Sequence, residues 1–445
     1  MSGAARFGLE HLADPLPIEP VAGPIDAVAV VPGSKSITNR ALVCAALASA
    51  SSTVIGLLDS DDTMAMAVGL SQAGVDWQIS SGSDEVPTAV VHGVMGELPA
   101  PRGVVDVRQS GTTARFLLPV LALGRHRYEV TAHPQMQERP MAETFAALRS
   151  LGAEIDDAAR PGHLPATITG GATGGEIEVA GDVSSQFLSG LLLIGPCLPG
   201  GLTIMLTTAL VSRPYVDLTI SVMEAFGAIV RRPDDRTFRI EPTDYHHTTY
   251  AVEPDASAAS YPLAAAALTG GRVEVDGLGT GALQGDAAFA DVLAQMGATV
   301  ERTRHGITVT GPADRLLRGG TFDFTHISDT AQTLAVLAPF ADAPVTITGI
   351  GFIRRKEIDR IDAVATELRR CGVRVDVDDD GWTIHPGPVS PAVIQTSDDH
   401  RMAMSFALLG LVAPGIEIAG PACVAKTFPG YWEMLDHLRA TSVGR

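Results

Sequence analysis

The sequence lacks the features that mark metal-binding, secreted or membrane-spanning chains. Only four of its 445 residues are cysteines, and they form no CxxC pair or Cys/His ligand spacing: Cys44, Cys197, Cys371 and Cys423. We therefore predict no metal site and a reducing compartment, the cytoplasm. No apolar run reaches the roughly 18 residues that a membrane span needs, and LSGLLLIGPCL at 188–198 is broken by Gly195-Pro196. The N-terminus has no basic start before an apolar segment, so we expect no signal peptide.

Positive charge is also scarce: the chain has 32 basic and 51 acidic residues, and its formal net charge is −19. A basic surface is what nucleic acids and anionic membranes require, so we predict that neither is a partner. A small anion stays possible if positive charge is concentrated in a cleft. Only three of the basic residues are lysines: Lys35, Lys356 and Lys426. Either this is chance, or these positions need a compact ammonium that a guanidinium cannot replace.

Repeats dominate what the sequence does contain. A helical pattern that ends in glycine and is followed by an alternating strand pattern occurs five times, at Gly74, Gly152, Gly227, Gly297 and Gly372. Glycine is the usual left-handed stop of a helix, and alternation is typical of a half-buried strand. One copy alone is an ordinary helix-to-strand junction, but the regular spacing of 78, 75, 70 and 75 residues indicates a repeat.

A second pattern runs in phase with the first, with a Ser or Asp cluster that opens a helix rich in Ala and Leu. The six clusters lie near Ser36, Ser110, Ser184, Ser257, Ser328 and Ser397. Their side-chain oxygens are predicted to cap the helices, and the small residues to let several of these helices pack in the core. Together the patterns predict six repeats of roughly 70–75 residues, each with helices packed on short strands.

The repeats and the length favour two domains of three repeats each. No strand pattern follows the last helix, YWEMLDHLRA, so the sixth repeat needs a strand from elsewhere, and IDAVAVV at 25–31 is available. We therefore expect one discontinuous domain of residues 1–32 and 255–445, and a second domain of residues 33–254.

Candidate binding residues concentrate where these helices begin, because a helix N-terminus favours phosphate and carboxylate. The loop VPGSKSITNRALVCAAL places Lys35, Ser36 and Arg40 at such a start. It is not a nucleotide P-loop, because the glycine five residues before the final Gly-Lys is absent. Either the three side chains clamp an anion, or they are a cap and solvated charges.

Nine motifs in order along nearly the whole chain resemble the 5-enolpyruvylshikimate-3-phosphate synthase family. They are PGSKSITNRA, SGTTAR at Ser110–Arg115, QERP around Arg139, GDVSSQFLSGLL, SRPY at Ser212–Tyr215, SDTA around Asp329, RRKEIDRI around Lys356, DDHRMAM around Arg401 and AKTFPGYW around Lys426. Each motif is weak alone, but the ordered set is specific, and all three lysines lie within it.

The resemblance implies transfer of the enolpyruvyl group of phosphoenolpyruvate to the 5-hydroxyl of shikimate 3-phosphate, with release of phosphate, in the shikimate pathway. It implies an α/β fold, a two-domain inside-out α/β barrel built from six repeats, three per domain. Residues 33–254 would carry mainly the shikimate 3-phosphate side, and the discontinuous domain mainly the phosphoenolpyruvate side. We also expect a cytoplasmic monomer with these two small anionic substrates as its only partners.

Site residues follow from the resemblance position by position. Shikimate 3-phosphate is expected at Lys35, Ser36, Arg40, Ser184, Ser185, Gln186, Ser212, Tyr215, Asp329 and Lys356. Phosphoenolpyruvate is expected at Lys35, Gly111, Arg139, Gln186, Arg360, Arg401 and Lys426. Arginine suits the planar carboxylate through its bidentate fork, and Gly111 lets the backbone come close, although many such glycines only form turns.

The chemistry needs an acid and a base, and no cofactor or metal is implied. Asp329 is the expected base for the hydroxyl, and Glu357 the expected acid toward the methylene, shared with Lys426; Lys35 completes the catalytic set. Read without the resemblance, Asp329 is a helix cap and Glu357 is the partner of Arg360 three residues later.

One position departs from the family pattern. An asparagine usually stands four residues before the Lys-Glu lysine, and Phe352 stands there here, so we leave it off the site. The nearest alternative is a UDP-N-acetylglucosamine enolpyruvyl transferase, which would need a reactive cysteine in a basic, glycine-rich loop. A phosphate-binding protein without activity and a structural repeat scaffold are two further alternatives; the paired acids and the polar helix starts disfavour them.

Overall fold

The computed structural model describes residues 3–80, 86–182 and 184–442. The chain folds into two compact units. Unit 1 consists of Met1–Pro32 and Pro254–Arg445, and unit 2 consists of Gly33–Glu253. No helix in the described ranges is both long and apolar enough to cross a membrane.

Fourteen α-helices occur in the described residues: two in each repeat, and two further helices of four residues each, α1 and α5. They are α1 (Gly3–Arg6), α2 (Lys35–Leu47), α3 (Asp61–Gln72), α4 (Gly111–Ala122), α5 (Pro134–Gln137), α6 (Ala142–Ser150), α7 (Ser185–Ile194), α8 (Arg213–Ala225), α9 (Ala256–Thr269), α10 (Phe289–Gln295), α11 (Ala331–Leu337), α12 (Arg360–Arg370), α13 (His400–Gly410) and α14 (Tyr431–Ala440). Short 3-10 helices that matter for the site lie at Ser328–Thr330, Gly351–Arg355 and Pro421–Lys426.

The described strands are short, with two to five residues each. They are β1 (Leu16–Ile18), β2 (Asp26–Ala29), β3 (Ser52–Ile55), β4 (Asp76–Ser80), β5 (Thr88–His92), β6 (Val105–Asp106), β7 (Arg127–Thr131), β8 (Glu154–Asp156), β9 (Ala166–Thr169), β10 (Gly175–Val179), β11 (Leu202–Leu206), β12 (Val230–Arg231), β13 (Thr237–Ile240), β14 (Thr249–Ala251), β15 (Arg272–Asp276), β16 (Thr299–Arg302), β17 (Gly306–Thr310), β18 (Gly320–Asp323), β19 (Val345–Thr348), β20 (Val375–Val377), β21 (Trp382–Ile384), β22 (Ala392–Gln395) and β23 (Ile416–Ala419).

These strands form six small sheets with nearly the same topology. Unit 2 holds the sheets β14-β3-β5-β4, β6-β7-β9-β8 and β10-β11-β13-β12. Unit 1 holds β2-β15-β17-β16, β18-β19-β21-β20 and β1-β23-β22. In every four-stranded sheet the first two strands run parallel and the other neighbours run antiparallel. The fold is therefore mixed α/β and repetitive.

The N-terminal segment belongs to unit 1, but its strands pair differently from our expectation. The strand within IDAVAVV, β2, pairs in parallel with β15 of the fourth repeat. The sixth repeat instead takes β1, whose residues LPI lie antiparallel to β23. The prediction that IDAVAVV completes the sixth repeat is wrong, because a second short strand, earlier in the chain, occupies that edge.

The glycine stops are confirmed by the backbone. Gly74, Gly152, Gly227, Gly297 and Gly372 all have positive φ angles, between 81° and 104°. Each follows a helix and precedes a strand, as in α12, Gly372 and β20. Residues with a Cβ rarely adopt such angles, so glycine ends the helix at low cost and frees the chain to return as a strand.

In each repeat one helix is buried over most or all of its length. Helices α4, α9, α11 and α13 are buried throughout, and α2 and α7 nearly so. Five of these six helices begin with a Ser or Asp side chain that accepts a backbone N–H: Ser34, Ser110, Ser184, Asp255 and Asp399. A helix that is apolar on nearly all sides is stable only when it is buried in the core. Within each unit the three buried helices contact one another: α2, α4 and α7 in unit 2, and α9, α11 and α13 in unit 1.

Candidate active site

Unit 2 contains a group of cations and hydroxyls at the starts of α2, α3, α4, α7 and α8 and just after α5, which we call the unit 2 cluster. Its members are Lys35, Ser36, Arg40, Asp62, Gly111, Arg115, Arg139, Ser184, Ser185, Gln186, Ser212 and Tyr215. Contacts between these helices hold it together, since α4 packs on α7, α7 on α8, and α2 on α8. Among the residues predicted for the site, Arg40 contacts Ser36 and Tyr215, Gly111 lies beside Arg139, and Ser184 contacts Gln186.

Arg40 is the most deeply buried cation of the unit 2 cluster, with 2% of its surface exposed. Its donated hydrogen bonds go to neutral oxygens: Nε to the Thr219 hydroxyl (2.7 Å), Nη1 to the Ser36 carbonyl (2.7 Å), and Nη2 to the Tyr215 carbonyl (3.1 Å) and the Ser189 hydroxyl (3.4 Å). Burial lowers the pKa of Arg40 to about 10, which still leaves it charged at neutral pH. The alternative of a solvated charge is therefore excluded for Arg40.

Gly111 brings the backbone of α4 against two guanidinium groups. A Cβ atom built at this position would lie 2.7 Å from Nη1 of Arg139 and 2.9 Å from Nη1 of Arg115. Arg115 in turn donates from Nη1 to the side-chain oxygen of Gln186 at 2.7 Å. Close packing makes that contact possible, because a Cβ at Gly190 would lie only 2.1 Å from the Arg115 carbonyl oxygen. Arg115 of α4, Gln186 of α7 and Arg139, which follows α5, thus bring two guanidinium groups and an amide together.

Lys35 and the serines complete the unit 2 cluster. The Lys35 ammonium lies 3.7 Å from an oxygen of Asp62, which is itself buried. Ser184 caps α7 by accepting the Gln186 N–H, and Ser185 is 7% exposed. Ser212 precedes α8 in a left-handed conformation, with φ of 52°, which is uncommon for a residue other than glycine. Four cations and one carboxylate give this cluster an excess of positive charge.

Unit 1 contains a second group of charges, the unit 1 cluster. Its members are Asp329, Lys356, Glu357, Arg360, Asp399, Arg401 and Lys426. Arg360, with 2% exposure, donates from Nε to Asp399 at 2.7 Å and from Nη2 to Glu357 at 2.8 Å. Burial alone would lower the pKa of Arg360, but the carboxylates of Asp399 and Glu357 outweigh it and the pKa is raised.

Asp329 is surrounded by cations. Its Oδ2 atom accepts from Nη2 of Arg401 at 2.8 Å, and its backbone carbonyl accepts from Nη1 of the same residue at 2.9 Å. Oδ1 lies 3.6 Å from Arg360 and 3.9 Å from Lys356. Asp329 lies in the 3-10 helix Ser328–Thr330, which has no side-chain cap, so the reading of this residue as a helix cap is wrong.

Glu357 lies between two cations. Oε2 accepts from Arg360, three residues later, and Oε1 lies 3.2 Å from Nζ of Lys426. The local reading of an ion pair with Arg360 is correct, but it is only half of the arrangement. Lys426, which ends the 3-10 helix Pro421–Lys426, is 7% exposed. A carboxylate and an ammonium at this distance can exchange a proton.

Sequence reasoning left four residues off the site that the structure places in or against it: Asp62, Arg115, Thr219 and Asp399. Arg115 and Asp399 lie inside SGTTAR and DDHRMAM, so the motifs themselves carried a signal. Phe352 lies in the 3-10 helix Gly351–Arg355 and packs against the core of unit 1. Leaving it off the site is consistent with that apolar packing.

The four cysteines lie in environments that suppress thiolate formation. Burial raises the pKa of Cys44 and of Cys423 to about 12, that of Cys371 to about 11, and that of Cys197 still further. A reactive cysteine needs an electropositive, partly exposed position where the thiolate is favoured. These thiols do not fit the cysteine-dependent alternative.

The family model described as EPSP synthase (3-phosphoshikimate 1-carboxyvinyltransferase) matches residues 20–435. A 3-phosphoshikimate 1-carboxyvinyltransferase of Nostoc punctiforme is 42% identical over 421 residues, 94% of this chain and 98% of that protein. One of Serratia proteamaculans is 42% identical over 431 residues, 96% of this chain and 99% of that protein.

The fold of the chain also matches solved structures. An EPSP synthase structure from Acinetobacter baumannii has a TM-score of 0.79 at 27% identity, covering 95% of this chain and 97% of that one. The enolpyruvyl transferase NikO from Streptomyces tendae has a TM-score of 0.72 at 20% identity, covering 95% and 96%, and supports the fold alone.

Proposed function

The chain belongs to the EPSP synthase (3-phosphoshikimate 1-carboxyvinyltransferase) family, and on that premise we propose how its residues divide the reaction. It is a transferase that moves the enolpyruvyl group of phosphoenolpyruvate to the 5-hydroxyl of shikimate 3-phosphate and releases phosphate, a step of the shikimate pathway. The prediction of family and activity from the motifs is confirmed. The assignment of individual residues below is our proposal.

The charges of the two clusters support this assignment of residues to the reaction. Each substrate carries a phosphate and a carboxylate, so four anionic groups need cations or N–H donors. The unit 2 cluster holds four cations against one carboxylate. The unit 1 cluster holds four cations, Lys356, Arg360, Arg401 and Lys426, against three carboxylates. Positive charge concentrated in this way can bind small anions although the whole chain is strongly acidic.

Shikimate 3-phosphate is assigned to hydroxyls, amides and cations that can surround a phosphate and a carboxylate: Lys35, Ser36, Arg40, Ser184, Ser185, Gln186, Ser212, Tyr215, Asp329 and Lys356. Phosphoenolpyruvate is assigned to residues rich in arginine: Lys35, Gly111, Arg139, Gln186, Arg360, Arg401 and Lys426. In support, Gly111 presents its backbone directly beside the Arg139 guanidinium, where a carboxylate can meet both a backbone N–H and a cation.

Asp329 is the proposed base, and the observation that carries this role is its position among Arg401, Arg360 and Lys356. A general base must accept a proton, and a carboxylate within reach of the hydroxyl can do so. As the 5-hydroxyl oxygen forms its bond to C2 of phosphoenolpyruvate, its proton passes to Asp329.

The methylene carbon must take up a proton in the same step. We assign that proton to the pair of Lys426 and Glu357, whose charged atoms lie 3.2 Å apart. A tetrahedral intermediate results, with the former methylene now a methyl group. Its bond to phosphate then breaks, phosphate leaves, and the methyl group returns the proton, which restores the double bond.

Further assignments rest on the family alone. Unit 2 would carry mainly the shikimate 3-phosphate side and unit 1 mainly the phosphoenolpyruvate side, within an inside-out barrel of three repeats per domain. The protein would act as a monomer in the cytoplasm, without cofactor, nucleic acid or membrane. The alternative of a UDP-N-acetylglucosamine enolpyruvyl transferase is not favoured.

Phosphate release tests the activity directly. We expect release only when phosphoenolpyruvate and shikimate 3-phosphate are both present, because the leaving phosphate departs from an intermediate that contains both. Each substrate alone, and phosphoenolpyruvate with UDP-N-acetylglucosamine, are the controls. Equal release with the nucleotide sugar would contradict the proposed substrate assignment.

A further inference from the structure

We propose that Thr219 is a positioning residue that holds Arg40 ready for shikimate 3-phosphate, an inference that rests on the proposed function of Arg40. Thr219 lies in α8 and is completely buried. Its hydroxyl accepts a hydrogen bond of 2.7 Å from Nε of Arg40. The same oxygen lies 2.8 Å from the Ser189 hydroxyl and 2.8 Å from the Tyr215 carbonyl.

These three neighbours can satisfy the hydrogen-bonding capacity of the Thr219 hydroxyl, and only its acceptance from Arg40 is fixed in direction. An arginine side chain has no hydrogen-bond acceptor, so the Thr219 oxygen must accept from Arg40. The single hydroxyl proton of Thr219 can then be donated to either the Tyr215 carbonyl or the Ser189 hydroxyl. If that proton goes to the Tyr215 carbonyl, Ser189 can donate to the second lone pair of Thr219. No water is required to complete the arrangement, and a valine at this position would leave the Arg40 Nε–H without its acceptor.

Arg40 needs such support because it is a buried cation. Within the described residues it receives four neutral acceptors and no carboxylate. A guanidinium has five N–H groups, so four are committed to the protein and one, on Nη1, is left for a ligand. Holding the group by four bonds fixes where this remaining donor and the positive charge lie, which reduces the ordering cost of binding an anion.

Thr219 also ties together the helices that carry the unit 2 serines. Arg40 belongs to α2, Ser189 to α7 and Thr219 to α8. The starts of these helices bear the proposed ligands of shikimate 3-phosphate: Ser36, Ser184, Ser185, Gln186, Ser212 and Tyr215. The Thr219 hydroxyl, where α2, α7 and α8 meet, therefore fixes the position of the Arg40 guanidinium.

Replacing Thr219 by valine tests the inference, because valine has nearly the same shape without the hydroxyl. We expect the Kd for shikimate 3-phosphate, measured by calorimetry, to rise about tenfold, as for a lost hydrogen bond to a charged group. The KM for phosphoenolpyruvate and kcat at saturation should change much less. Thr219→Ser keeps the hydroxyl and should restore binding to within about twofold.

Thr144→Val is the matched control, since Thr144 is a buried threonine of unit 2 whose hydroxyl has no hydrogen-bond partner within the described residues. It should leave the Kd unchanged. Ser189→Ala removes the weaker contact, at 3.4 Å from Arg40, and should raise the Kd by only about threefold. It also keeps the inference testable if Thr219→Val does not fold.

An Arg40→Lys background separates positioning from general damage. If Thr219 acts through Arg40, Thr219→Val should add little to the loss of shikimate 3-phosphate binding that Arg40→Lys already causes. The same loss in both backgrounds would overturn the inference, as would wild-type affinity of the Thr219→Val and Ser189→Ala proteins. Absence of turnover by the unaltered protein would instead contradict the proposed function.

Discussion

Arg40 in unit 2 and Arg360 in unit 1 are equally buried, at 2% exposure, but they have opposite surroundings. Arg40 donates to hydroxyl and carbonyl oxygens, whereas Arg360 faces the carboxylates of Asp399, Glu357 and Asp329. The charge of Arg40 is therefore left for a ligand to neutralise. Arg360 is already paired with carboxylates, and it orients Glu357 and Asp329, the proposed acid and base.

The clusters around these two arginines differ in their charges as well. The unit 2 cluster is a set of donors with a single acid, Asp62, beside Lys35. The unit 1 cluster interleaves acids and bases, so that Asp329 and Glu357 each contact at least two cations. An excess of donors suits anion binding, and interleaved acids and bases suit proton transfer. We infer that binding and chemistry are divided unequally between the two units.

The largest effect is expected from Asp329→Asn. The amide keeps the shape of the side chain but cannot accept the proton of the 5-hydroxyl, so kcat should fall by about 10²–10⁴. Calorimetric binding of shikimate 3-phosphate should persist, because the unit 2 cluster is intact. Near-normal turnover would remove Asp329 from the mechanism and weaken the division between the clusters.

Next in size is the stability difference between Arg360→Met and Arg40→Met. Removing Arg360 leaves Asp399, which is completely buried, without its cation, and should lower the free energy of unfolding by about 3–5 kcal/mol. Removing Arg40 leaves only neutral acceptors, three of which still bond to one another, and should cost about 1–2 kcal/mol.

Urea unfolding followed by circular dichroism measures both variants. Arg40→Met should nevertheless lose shikimate 3-phosphate binding, so stability and binding should separate in this variant. Equal destabilisation by the two substitutions would show that the carboxylates around Arg360 do not distinguish it from Arg40.

Much of the fold could be predicted from the sequence, because its signals are local. The glycine stops depend on one residue and one backbone angle, and all five occur where the sequence placed them. The pairing of β1 and β2 could not be predicted, because both segments are short and apolar and either edge could accept them. Which sheet a strand joins depends on distant chain segments.

The candidate site also has features that the sequence indicates and features that it does not. Lys35, Arg139 and Lys426 could be proposed for the site because they lie in family motifs. The pairing of Arg360 with Asp399 joins residues 39 positions apart, and that of Arg40 with Thr219 joins residues 179 positions apart. No periodicity in the sequence indicates which side chains meet across such separations, so the acceptors that orient each arginine became visible only in the structure.

A smaller effect is expected from Gly111→Ala. The added Cβ would meet the ends of two flexible arginine side chains, Arg139 and Arg115, rather than backbone, so the protein should fold normally. Displacing these guanidinium groups should raise the KM for phosphoenolpyruvate about tenfold, as for a weakened charged hydrogen bond. The Kd for shikimate 3-phosphate should stay nearly constant. Steady-state kinetics with each substrate varied would reveal the opposite pattern if Gly111 served the other substrate.

The smallest effect, and the cleanest contrast within the chain, is expected from thiol alkylation. Burial holds the pKa of Cys44, Cys371 and Cys423 at about 12, 11 and 12, so at pH 8 these thiols remain protonated and react slowly with iodoacetamide. Activity should survive this treatment unchanged, because no cysteine belongs to either cluster.

Lysine-selective acylation is the contrasting treatment and should abolish activity, since all three lysines belong to the two clusters and acylation removes their charge. Both substrates together should protect the lysines, and peptide mapping by mass spectrometry identifies the modified side chains. Loss of activity upon alkylation of one cysteine would revive the cysteine-dependent alternative, and an enzyme acylated at Lys35, Lys356 and Lys426 that kept full activity would refute the assignment of both clusters.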